Sequence, residues 1–111
     1  MTKIGILDFK GISGHKYTFN VYQLRKGLKE KEAVYVVTRR TIQADTTVKH
    51  TVIYAGEASN LRDTFENHPK ADCFEKEGAN TVCVYWEDHA MTREKIKADL
   101  KNLYHPPCNN C

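Results

Sequence analysis

The sequence predicts a small α/β domain: a three-stranded antiparallel sheet with an extra N-terminal strand, flanked by helices. Three observations carry it. The first is a pair of apolar, β-branched runs, Ala33-Val34-Tyr35-Val36-Val37 and Val52-Ile53-Tyr54-Ala55-Gly56, the second a later run of the same kind around Thr81-Val82-Cys83-Val84, and the third two stretches of helical periodicity. With 111 residues, 41% of them hydrophobic and 28% charged, the chain suits one compact domain, residues 1–111, with a modest core. No run reaches the apolar length of a membrane span, and the opening residues lack a secretory pattern, so a soluble, cytoplasmic protein with no membrane partner is expected.

Taken in order, residues 1–16 read as an irregular, glycine-containing lead-in, and residues 17–24 alternate Tyr17, Phe19 and Val21 with polar neighbours, the period of a half-buried strand. Residues 1–32 thus form an extension, and the charged run 25–32 reads as a solvated turn. Strands follow at 34–40 and 50–55, joined by a polar connection that suggests a hairpin with a long tip. Gly56 allows a sharp turn into a helix over 59–68, with Ser59 as its cap and Ala58, Leu61 and Phe65 on its buried side. Pro69 stops that helix, and a short helical piece before Gly78 turns Cys73 and Phe74 inward. The third core strand spans 80–87, and a last helix over 90–104 presents Ile96, Leu100 and Leu103 to the core before Pro106 ends it.

Across residues 33–109 this succession resembles the GIY-YIG nucleases. Ala33-Val34-Tyr35 is similar to the first motif of that family and Tyr54-Ala55-Gly56 to the second, while Pro106-Pro107-Cys108-Asn109 is similar to the closing Pro-x-x-Asn. The resemblance implies a GIY-YIG-like fold and makes Tyr35, Tyr54, His68 and Asn109 the retained catalytic positions. Two departures change what it implies about activity. The family's arginine falls at Thr64 and its metal-binding glutamate at Lys97. Phosphodiester hydrolysis needs a proton acceptor, a cation on the phosphate and help for the leaving oxygen, and an ammonium in the ligand position repels a divalent ion. The expectation is a domain that has lost phosphodiesterase activity, needs no cofactor, and binds a protein partner or a nucleic-acid backbone. The alternative is an active endonuclease with a rearranged site, holding Mg²⁺ or Mn²⁺ through Glu94.

Charge is distributed unevenly about a net +3, with +6 over residues 1–50, −5 over 51–90 and +2 over 91–111. Backbone phosphate, if bound, is expected at Arg39, Arg40 and Lys97. Of the four cysteines, none is needed to staple the core, and free thiols are expected. Cys108-x-x-Cys111, with His105 near, has the spacing of half a zinc site without the second half.

Overall fold

The structure, a computed structural model, describes residues 2–24 and 27–110. Its strands are β1 (Lys3–Lys10), β2 (Lys16–Gln23), β3 (Ala33–Ile42), β4 (Val48–Ala58) and β5 (Thr81–Trp86), and its helices α1 (Leu61–Glu66), α2 (Ala71–Lys76) and α3 (Ala90–Tyr104). A 3-10 turn at Pro107–Asn109 closes the described chain. The sheet is five-stranded, in the order β1-β2-β5-β3-β4, and every pairing is antiparallel. Expectation and structure agree on a small α/β domain, and β5 lies at the centre of the sheet.

Strand alternation sends side chains to two separate cores. One face carries Tyr22, Ala33, Tyr35, Val37, Val82 and Val84, and is covered by Leu61 of α1 and Phe74 of α2. The other carries Phe19, Val21, Val34, Val36, Ala55 and Cys83, and is covered by Ile96 and Leu100 of α3. Both of the last two are buried as expected, whereas Leu103 is 42% exposed. The buried row of α3 is instead Arg93, Ile96 and Leu100, one helical stripe shifted back by a turn.

Four further expectations are corrected. The lead-in is a strand: β1 pairs with β2 along Lys10↔Lys16 to Lys3↔Tyr22, with an irregularity between Lys3 and Gly5 that interrupts its alternation. The hairpin of β3 and β4 has no long tip, because the strands continue to Ile42 and Val48 and a turn closed by Gln43 N–H to Thr47 O joins them. Asn60, not Ser59, caps α1, accepting from Asp63 N–H at 3.1 Å. The helix also stops at Glu66, since a residue before proline is pushed out of helical geometry and His68 precedes Pro69.

The thiols of Cys73 and Cys108 are not free. α2 turns Cys73 inward and the chain returns after α3 to bring Cys108 beside it, Cα–Cα 5.8 Å, and the two form a disulfide. Cross-links that close loops of this length, a separation of 35 residues, stabilise a fold by roughly 2–4 kcal/mol. Cys83 remains a buried thiol. Arg25 and Lys26 of the expected solvated turn, and Cys111 of the half zinc site, lie outside the described residues.

The tip of the β1–β2 hairpin is fastened to α3. Asp99 accepts from Ser13 N–H at 2.9 Å, Ser13 Oγ at 2.7 Å and Tyr17 Oη at 2.7 Å. Gly11 makes this possible, because a Cβ there would run into the Asp99 carboxylate. These hydrogen bonds hold the Asp99 carboxyl below its ordinary range, the one from Tyr17 most strongly.

Candidate functional site

Tyr35 and Tyr54 are on neighbouring strands, with Tyr35 opposite Gly56 and Tyr54 opposite Val37. Gly56 leaves an empty place across from Tyr35, and both tyrosine rings close over it. A Cβ at Gly56 would lie 2.6 Å from Tyr35 Cζ and 2.7 Å from Tyr54 Cε2, so the position admits no side chain while the rings stay.

His68, turned inward past the end of α1, completes the centre together with Phe65 and Phe74. Ring centroids lie 5.9 Å apart for Tyr35 and Tyr54, 5.0 Å for Tyr35 and Phe65, 5.2 Å for Tyr54 and His68, and 4.7 Å for His68 and Phe74. Two of these pairs, Tyr35–Phe65 and Tyr54–His68, meet edge to face, an arrangement favoured by aromatic quadrupoles. Tyr35 is 2% exposed and His68 7%.

The protons in this centre follow from its hydrogen bonds. His68 Nδ1 accepts from Lys70 N–H at 3.0 Å, so the neutral ring carries its proton on Nε2 and donates it to Tyr35 Oη at 2.7 Å. Burial, with the Lys70 charge adding to it, lowers the His68 pKa to about 4. Desolvation raises that of Tyr35 well above the usual phenol range, and Tyr54 and Glu57 add to the rise. Both groups are neutral near pH 7. The basic nitrogen of His68 is committed to the backbone, so the ring is poorly placed to take a proton from water.

A pH dependence follows. The unfolded ring titrates near its ordinary 6.5 and the folded ring near 4, so between those values the unfolded chain binds a proton that the folded chain refuses. The contribution to stability is complete above the higher value and is lost as pH falls towards the lower. Melting temperatures measured at pH 7 and pH 4.5 are expected to drop less in His68→Gln than in the unmodified chain. An equal drop in both contradicts a buried neutral imidazole.

The remaining sequence-derived positions do not join this centre as a set. Thr64 and His68 share no helical face, because α1 ends before His68. Thr64 Oγ1 donates to the carbonyl of Asn60 at 2.9 Å within its own helix. Asn109 is a clamp: its Oδ1 accepts from Ala55 N–H and its Nδ2 donates to Ala55 O, each at 2.9 Å, so it holds the edge of β4 beside Tyr54. Lys97 belongs to α3, which packs on the opposite face from the tyrosine rings, and its Nζ lies 3.0 Å from Glu94 Oε2.

Arg39 and Arg40 are adjacent on β3 and point to opposite faces. Arg39 is exposed beside Gly78, while Arg40 is half-buried in a cleft of about 230 Å³ with Ile4, Val48 and His50. With Lys97 on α3, the three cations are not one patch. Cys108 Sγ is taken by the disulfide and His105 is exposed as the left-handed cap of α3. Among the described residues no three His, Cys, Asp or Glu side chains gather closely enough to hold a metal ion. Glu94, the ligand of the alternative reading, is engaged by Lys97.

Sequence reasoning missed Arg93. Its guanidinium, buried in the α3 row, donates through Nε to Glu57 at 2.9 Å and through Nη1 to the carbonyls of Glu87 and Asp88 at 3.2 and 2.8 Å. The available signal was its spacing, three residues before Ile96 and seven before Leu100. Compared with family models, curated proteins and solved structures, the chain matches none.

Proposed function

We propose that the chain is a GIY-YIG-like domain without phosphodiesterase activity, serving as a binding module. The observation that supports this reading is the state of the tyrosine centre: Tyr35, Tyr54 and His68 lie together in a packed aromatic core, where burial keeps Tyr35 and His68 neutral. Substrate phosphate needs a cation beside those rings. The position of the family arginine offers a hydroxyl turned onto its own helix, and Lys97, at the position of the family glutamate, lies on the opposite face of the sheet, paired with Glu94. The donor set does not suit Mg²⁺ or Mn²⁺, which bind best to several carboxylate or carbonyl oxygens.

As a binding module the domain has a pinned scaffold. The disulfide ties α2 to the segment that follows α3, and the Asn109 clamp ties that segment to β4. The expected cytoplasmic setting sits poorly with the Cys73–Cys108 bond, which persists most readily in an oxidising compartment. No described helix is long and apolar enough to cross a membrane.

Manganese titration followed by electron paramagnetic resonance tests the reading. The unmodified chain is expected to leave equimolar Mn²⁺ free in solution. An ion bound at one equivalent and released by Glu94→Gln supports the rearranged metal-dependent endonuclease instead.

A further inference from the structure

The lone tryptophan, Trp86, stands at the end of β5 with part of its surface against the core beneath the sheet. The ammonium groups of Lys29 and Lys31 lie over its ring, 5.7 and 5.5 Å from the centroid. Neither has an acidic partner at ion-pair distance among the described residues. Two like charges held over one ring repel each other unless an anion comes between them.

The segment that carries them is fixed from both sides. The first amides of α1 are satisfied by it, Leu61 N–H bonding to Lys31 O at 3.0 Å and Arg62 N–H to Lys29 O at 3.2 Å, and Glu87 N–H bonds to Glu32 O at 3.2 Å. The lysines are therefore presented beside the ring by an ordered backbone.

Towards β1 the same sheet face is exposed, at Lys16 and Thr18 of β2 and at Ile6, Asp8 and Lys10 of β1. Asn20 of β2 faces Val84, so Trp86, two residues on, is level with Thr18 and shares its side of the sheet. Lys16 is the next residue on that side of β2, about 7 Å farther along, and it faces Lys10 of β1. Asp8 is the acid on this face, and it accepts from Thr18 Oγ1 at 2.7 Å. A ring with two unpaired cations at one end, and two more lysines a strand step away, has the composition of a stacking platform along a phosphate track.

We propose that the exposed face of β1 and β2 beside Trp86 binds single-stranded nucleic acid, with one base displacing the two ammonium groups to stack on the Trp86 ring and the flanking phosphates received by Lys29 and Lys31, then by Lys16 and Lys10. Stacking requires an unpaired base, which a duplex does not offer. The surface adjoins the core that holds the tyrosine rings but uses none of Tyr35, Tyr54, His68, Arg39, Arg40 and Lys97, so it stands or falls apart from the lost-nuclease reading.

Because Trp86 is the chain's single tryptophan, its fluorescence reports the contact directly. The probe is a thymidine oligomer about 12 nucleotides long, within the range that one small domain covers. Saturable quenching is expected, weakening severalfold when salt is raised from about 50 to about 200 mM. Lys29→Ala with Lys31→Ala is expected to weaken it about tenfold, Lys10→Ala with Lys16→Ala less, and Arg39→Ala with Arg40→Ala hardly at all. Circular dichroism on each variant establishes that the fold is retained. Three results overturn the proposal: no quenching, quenching that survives the loss of Lys29 and Lys31, or equal affinity for the matching duplex or for inorganic polyphosphate.

Discussion

Replacing Phe74 with alanine is expected to cost about 3–5 kcal/mol, the range for an aromatic ring removed from a packed core. Phe74 is 1% exposed, and its ring contacts those of Tyr54, Phe65 and His68 at centroid distances of 5.5, 6.4 and 4.7 Å. Its neighbour Cys73 is cross-linked to Cys108, so α2 is tethered and has little freedom to collapse into the vacated space. The cavity would therefore persist, and the cost should fall at the upper end of the range. Urea unfolding of Phe74→Ala and Phe74→Leu checks this: the leucine variant, which fills most of the space, should lose much less. A loss below about 1 kcal/mol for alanine would mean that the aromatic centre is loosely packed and open to water.

Arg93→Ala is expected to cost roughly 3 kcal/mol, because it strands the Glu57 carboxylate and the carbonyls of Glu87 and Asp88 that the guanidinium now satisfies. Glu57 keeps 24% of its side chain in water, which softens the penalty relative to a fully enclosed pair. The pair joins α3 to β4 one residue beyond Gly56, so it also sets where the last helix lies against the strand that carries Tyr54. Combining Arg93→Met with Glu57→Gln is expected to recover part of the loss, since the unpaired charge is then removed. Denaturation midpoints of the two singles and the double measure this coupling, and simple additivity of the losses would contradict it.

How much of this was legible in the sequence depended on whether local pattern and tertiary contact agreed. β2, β3, β4, β5 and α3 lie within a few residues of where their periodicity placed them, since one buried face dictates the alternation. β1 was not legible because apolar residues fall on both of its faces, Leu7 and Phe9 on the one that packs against the core and Ile6 on the other, where it remains exposed. The neighbouring tyrosines were legible through the paired motifs. The disulfide and the Arg93–Glu57 pair were not, because each joins residues far apart in the chain that only the fold brings together. Asn109 was marked by motif alone; its clamp on Ala55 emerges from the return of the chain past the edge of β4.

The central proposal is that the domain bearing the Tyr35–Tyr54 pair has no phosphodiesterase activity, and plasmid nicking tests it most directly. Supercoiled plasmid incubated with repeatedly purified chain, in Mg²⁺ or Mn²⁺ and with or without EDTA, is expected to remain supercoiled at every protein concentration. Robust nicking that requires the metal and disappears in Tyr35→Phe or Glu94→Gln would contradict the account and establish a working, rearranged nuclease.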